Sequence, residues 1–210
     1  MKPTSLTQHA RVVKTCKRLL VAALLLMGCY PAAHAQELAV KTNALQWIQT
    51  TPNAAIEYAF APRWTAELAA GFNLWSFGQN RKFKHVLIRP EARFWLWEPF
   101  NGHFFNAAPE FAVYNIGGTK LHPFALMFPN SDKHRYEGVF YGISVGYGYN
   151  WMLSPRWSLE AEIGFGYRYA RYRSYDCVTC GRPLYPGAPV QSKHWFGPTR
   201  LALSVVFMIR

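Results

Sequence analysis

Past residue 35 the chain has no long apolar run, only two cysteines and few acidic residues, and each shortage narrows its chemistry. No stretch there approaches the roughly 20 consecutive apolar residues that a membrane-spanning helix needs. The Leu and Ala stripes of a helical domain are missing too. A single C-x-x-C, Cys177 and Cys180, supplies two of the four ligands of a structural zinc site. His134 and His194 could complete the set, but nothing fixes their spacing. A thioredoxin-type redox role needs a different fold context. The loop serines that lie near a histidine, Ser131 and Ser192, are not set in a nucleophile elbow.

The first 35 residues hold what the remainder lacks. Lys2, Arg11, Lys14, Lys17 and Arg18 stand with no acidic neighbour, and a nine-residue apolar run follows from Leu19 to Met27. Ala33-His34-Ala35 before Gln36 is a small-residue exit, so residues 1–35 have the layout of a secretory signal peptide. Lipidation at Cys29 competes with this reading, but Met27 suits that pattern poorly and Ala35 offers the better cut. Residues 36–210 then form one domain of about 175 residues. Five of the 23 Lys and Arg leave with the leader, so 18 face 11 Asp and Glu and the net charge falls from +12 to +7. Cys16 and Cys29 leave as well. Export favours oxidation, which makes Cys177 and Cys180 a candidate disulfide.

Aromatics are abundant, at 17% of the chain, and apolar residues alternate with small or polar ones. Over residues 139–151, Val139, Tyr141, Ile143, Val145, Tyr147, Tyr149 and Trp151 fall on one face. Gly and small polar residues fall on the other. A period of two is a strand, because successive side chains point to opposite faces. Residues 157–169 repeat the pattern after the turn Ser154-Pro155-Arg156, and residues 64–73 repeat it after Ala61-Pro62-Arg63. The bulky face is the apolar one and the small face carries the charge, which is the arrangement of a chain whose outside meets lipid.

Eight strands are expected, near 38–48, 53–61, 64–74, 85–97, 103–116, 137–152, 157–172 and 194–210, the first alternating least well. Pro90 and Pro109 lie inside strands, where each removes a ladder donor, so bulges are expected there. Short connections near 62, 98–102 and 154–156 alternate with long ones at 75–84, 117–136 and 173–193. The predicted fold is all-β, an eight-stranded antiparallel up-and-down transmembrane β-barrel in the outer membrane, exported by the cleaved leader.

The inward face would carry Glu57, Glu67, Arg89, Glu91, Arg93, Glu110, Glu160, Glu162, Arg168 and Arg200. The interior of eight strands is just wide enough for side chains to fill it, and these charges would pair into a plug. A narrow channel is the alternative, but the signs interleave rather than forming a ring of one charge. Glu160 and Glu162 sit two apart on one strand face, as a salt-bridged wall would. Basic residues gather at the outer rim: Arg81, Lys82, Lys84, His85, Lys120, Lys133, Arg135, Arg171, Arg173, Arg182 and Lys193. They could meet the phosphates of lipopolysaccharide, or be ordinary solvated loop residues. Trp47, Trp64, Trp97, Trp151, Trp157 and Trp195 fall near strand ends, as interfacial residues do. Nucleic acid is an implausible partner for an exported barrel, and no cofactor or metal is expected. The enzymatic alternative is lipid A modification, with Ser131, Asp132 and His134, or Ser192 and His194, as local candidates. No strand is expected to put Ser and His at neighbouring lipid-facing positions, so a non-catalytic role is favoured.

Lys41-Thr42-Asn43-Ala44-Leu45, Thr51-Pro52-Asn53, Pro62-Arg63-Trp64-Thr65, residues 89–95 (RPEARFW) and Phe100-Asn101-Gly102-His103-Phe104 resemble an uncharacterised family. It comprises small Gram-negative outer-membrane barrels, a domain-of-unknown-function family often encoded near fimbrial genes. The resemblance covers most of residues 38–210. It implies the barrel, its location and an accessory role to fimbriae or the envelope. It supplies no catalytic residues.

Overall fold

The computed structural model describes residues 38–78, 81–118, 124–175 and 190–209. The proposed leader, Lys120, Cys177, Cys180, Arg182 and the side chain of Arg81 lie outside them. Nine strands and one short helix follow in order: β1 (Leu38–Asn43), α1 (Ala44–Ile48), β2 (Asn53–Ala61), β3 (Trp64–Asn73), β4 (Ser76–Phe77), β5 (Arg81–Trp95), β6 (Gly102–Gly117), β7 (Arg135–Met152), β8 (Trp157–Tyr175) and β9 (Gln191–Ile209). The two-residue β4 only folds back on the start of β5. The other eight make one antiparallel sheet in which each strand pairs with the next. β3 pairs directly with β5, and β9 returns to pair with β1 from Leu38↔Ile209 to Asn43↔Ser204. The hydrogen bonding is therefore ring-like. No helix among the described residues is long and apolar enough to cross a membrane.

Alternation is carried through to burial. On β6 buried and outward residues alternate almost without a break, and β3 and β8 do the same. The strands differ in length: β1 to β3 have 6 to 10 residues, whereas β5 to β9 have 15 to 19. The extra length lies at the end of the long connections, so the wall is taller from β5 round to β9.

Three sequence expectations need correction. The first strand does not run to residue 48. The Asn43 side chain accepts from the Leu45 backbone N–H at 3.0 Å, capping a helical turn that takes over from the strand. The bulges lie between Ala59 and Ala61 and between Gly164 and Phe165, not at the prolines. The β5–β6 ladder breaks off after Ile88↔Phe111 and resumes at Ala92↔Ala107 with its register unchanged, which sets Pro90 across from Pro109. Two residues without N–H groups thus share one gap, and the β3–β5 and β6–β7 ladders continue past it through Leu68↔Pro90 and Pro109↔Ile143. Finally, β5 begins at residue 81, β8 runs on to 175 and β9 begins at 191, so the long connections are shorter than expected.

Inside the ring the side chains form three layers. At the short-turn end, Ala39, Trp95, Phe100, Phe104, Val206 and Met208 form an apolar floor. Charged residues fill the middle. At the other end Phe83, Tyr114, Ile116 and Phe140 meet Phe124, Met127 and Phe128, which come from the connection between β6 and β7. That connection turns back on itself, with Phe128 N–H donating to Phe124 O at 3.0 Å. It places three large apolar side chains, all nearly without exposure, over the interior.

Candidate functional site

The middle layer is the densest concentration of chemistry in the molecule. Strand parity points Lys41, Glu57, Glu67, Arg89, Glu91, Arg93, Glu110, Glu160, Glu162, Arg168 and Arg200 inward from β1, β2, β3, β5, β6, β8 and β9. All ten charged residues expected on the inner face are brought together, and Lys41 joins them. Arg93 is the hub. Its Nε reaches Glu91 at 2.6 Å, Nη1 reaches Glu160 at 2.9 Å and Glu57 at 3.3 Å, and Nη2 reaches Glu67 at 2.7 Å and Glu162 at 3.3 Å. Arg89 links Glu91, Glu110 and Glu162 at 3.0 to 3.3 Å. Lys41 Nζ bridges Glu57, Glu67 (3.3 Å) and Glu160 (2.7 Å). Arg168 holds Glu110 at 2.8 Å and donates to the Thr199 carbonyl at 2.7 Å. Arg200 Nε donates to Glu162 at 2.7 Å.

Six carboxylates and five cations share this space. Removing charges from water costs several kcal/mol each, and the cost is offset only where every ion is matched by partners. Arg93 shows how completely that is done. Neutral donors complete the set: Thr65 Oγ1 to Glu57, Asn106 Nδ2 to Glu162 at 2.9 Å, and Trp95 Nε1 to Thr65 Oγ1 at 3.0 Å. The layer is braced to its neighbours through π contacts. Arg93 lies 4.5 Å from the Phe104 ring centre in the floor, and Arg168 lies 4.8 Å from Phe140 above.

Chemically, this is a cross-linked ionic network. Here each carboxylate is bound to guanidinium or ammonium groups, between an apolar floor and an apolar cover.

The rim residues divide. Arg171 and Arg173 are exposed on the outer face of β8, Lys133 is exposed, and Lys82 and Lys84 are half-buried on β5. Three others are not exposed at the rim: Arg135 is buried on the outer-face side of β7 against its neighbour Tyr175, whereas Lys193 and His85 lie on the inner face, which the taller strands carry upward. Arg135 is buried, 3.8 Å from Glu137 and 3.9 Å from the Tyr175 ring centre. Lys193 turns inward and donates to the Met127 carbonyl at 2.7 Å, fastening the β6–β7 connection from β9. His85 is buried beneath that connection. Its ring lies 4.8 Å from Phe83 and 5.5 Å from Phe124, with Thr51 Oγ1 3.5 Å from Nε2. Trp195 also faces inward, 5.6 Å from the Arg168 guanidinium, rather than lying in an interfacial belt.

A family model described as a protein of unknown function, DUF3575, matches residues 20–209. The chain belongs to the DUF3575 family. No curated protein and no solved structure matches it. Membership in DUF3575 brings no catalytic residue with it, so the serine and histidine candidates stand on geometry alone. Ser131 is buried, and its carbonyl accepts from Gly118 N–H at 2.7 Å. Ser192 and His194 correct the expectation that no strand pairs such residues outward. Because β9 begins at Gln191, both are exposed on its outer face. They are not hydrogen-bonded to each other; His194 Nδ1 pairs instead with the Tyr167 hydroxyl. Lys41 was missed because β1 alternates weakly. Its position two residues before Asn43, inward by parity, was the available signal.

Proposed function

We propose that this DUF3575 chain is an outer-membrane β-barrel, carried out of the cytoplasm by residues 1–35. We further propose that it acts as a non-catalytic structural or interaction protein of the envelope. One observation carries this reading. The outer face of the ring is apolar and exposed, with Ile143 at 61%, Val145 at 63%, Val113 at 60% and Leu68 at 57%, while the charges are inside. A water-facing wall has no reason to turn bulky aliphatic residues out and six glutamates in. A ring of strands in lipid has both reasons, since its backbone is paired all round and its side chains must suit acyl chains.

The dimensions agree. The outward apolar stretches run over residues 86–94 of β5, 105–113 of β6, 141–149 of β7 and 159–167 of β8, near the 9 to 11 residues a tilted strand needs. Aromatic groups gather at the short-turn end: Trp64 with Phe94 at 5.1 Å, Tyr149 with Trp151 at 4.8 Å and Trp157 with Phe207 at 4.9 Å. Such belts mark lipid–water interfaces. The short connections then face the periplasm and the long ones the exterior, where a fimbrial or other surface partner, or lipopolysaccharide, would be met. The accessory role comes from the family resemblance.

A narrow channel is disfavoured by the two apolar layers that bracket the ionic one. Lipid A modification is disfavoured by the absence of a Ser192–His194 hydrogen bond. The test is membrane fractionation followed by protease digestion of intact cells. The chain is expected in the outer-membrane fraction, with cleavage confined to 118–134 and 176–190. A mature chain recovered as a detergent-free monomer would overturn the reading.

A further inference from the structure

Resting on the membrane reading above, a second site stands out on the outer face of β8 and β9, just above the apolar band. Arg171 and Arg173 are two residues apart and project from the same face. Both are exposed, and neither makes an ion pair among the described residues. The carboxylate opposite Arg173, Glu137, is occupied elsewhere: it lies 3.8 Å from Arg135 Nη2 and accepts the Tyr175 hydroxyl at 3.2 Å. Arg171 stands across from Ser192 on β9. One pair lower, Tyr169 stands across from His194, whose ring centre lies 5.0 Å away and whose Nδ1 is hydrogen-bonded to Tyr167. Below these come Tyr167 and the exposed Phe196.

From the top down, this face offers two guanidinium groups with no ion pair among the described residues, a hydroxyl and an imidazole, a pair of tyrosines and then apolar surface. That is the polarity profile of a phosphorylated amphiphile turned inside out. We propose that the β8–β9 face binds the phosphorylated headgroup of an outer-leaflet glycolipid. Arg171 and Arg173 hold a phosphate, Ser192 and His194 add hydrogen bonds, and the acyl chains lie along Tyr167 and Phe196. Guanidinium forks suit phosphate oxygens in pairs, which a lysine cannot reproduce. A soluble phosphate compound would have no use for the apolar surface directly beneath.

The full chain in non-ionic detergent, presented with equal amounts of diphosphoryl lipid A and phosphatidylcholine, tests this by native mass spectrometry. The wild type is expected to retain lipid A. The double variant Arg171→Ala/Arg173→Ala is expected to retain at least tenfold less, and Arg171→Lys/Arg173→Lys an intermediate amount. Lys82→Ala/Lys84→Ala, on the far side, should bind as the wild type does. Retention by the double alanine variant within twofold of wild type overturns the proposal, as does equal loss from the β5 lysine variant. Complete competition by millimolar inorganic phosphate overturns the lipid as ligand. Insertion into phospholipid vesicles is measured on the same preparation. A chain that does not insert sinks the membrane reading and this site with it, whereas one that inserts but ignores the arginines sinks the site alone.

Discussion

Arg93 and Phe104 meet where charge ends and the apolar floor begins, the guanidinium carbon lying 4.5 Å from the ring centre. Five carboxylates converge on the other edges of the same guanidinium. Arg93→Met would keep the contact with Phe104 and leave those carboxylates short of a cation. Breaking a buried pair from one side costs about 3–5 kcal/mol. The urea midpoint of the detergent-folded chain should fall accordingly, and Arg93→Lys should fall less. An unchanged midpoint for Arg93→Met would show that the layer contributes nothing to stability.

Val145 separates a lipid-facing wall from a water-facing one. Val145→Arg near the middle of the apolar band should cost about 2–4 kcal/mol in a bilayer. On a solvated surface the same substitution should stay within about 0.5 kcal/mol. Equilibrium unfolding from phospholipid vesicles distinguishes the two.

Gly166 tests how closely β8 packs on β7. A methyl group there would sit 2.3 Å from the Ile143 carbonyl oxygen, which is backbone and cannot swing aside. Gly166→Ala should destabilise by about 1–3 kcal/mol through overpacking. Gly78→Ala, with nothing within 4 Å of the added carbon, should be close to neutral. Thermal or urea midpoints of the two variants make the comparison.

Much of the fold was legible because alternation is a local signal. Tyr141 and Ile143 on one face and Gly142 and Ser144 on the other settle both the strand and its outward side. What escaped depended on contacts between distant segments. Nothing near Lys193 or His85 announces that the taller strands keep the inner face buried so far up. The apolar run Phe124-Ala125-Leu126-Met127-Phe128 inside a long connection was a readable hint that this connection folds over the interior. The Pro90 and Pro109 gap could not be read at all without register, since each proline alone suggests a bulge. The ionic layer lay between these cases. Parity picks out its members, but only the three-dimensional arrangement makes Arg93 its centre.

The closure of the sheet has a consequence for how the molecule is made. Leu38 is zipped to Ile209, so the earliest strand waits for the last before either has its second neighbour. Until then two raw edges remain open, and Lys41 lacks the Glu160 that arrives from β8. Contacts so distant along the chain form slowly, and the half-closed ribbon is prone to stick to its own kind. Closure of the ring therefore depends on the final hairpin, β8 and β9, reaching the edge that β1 has kept open.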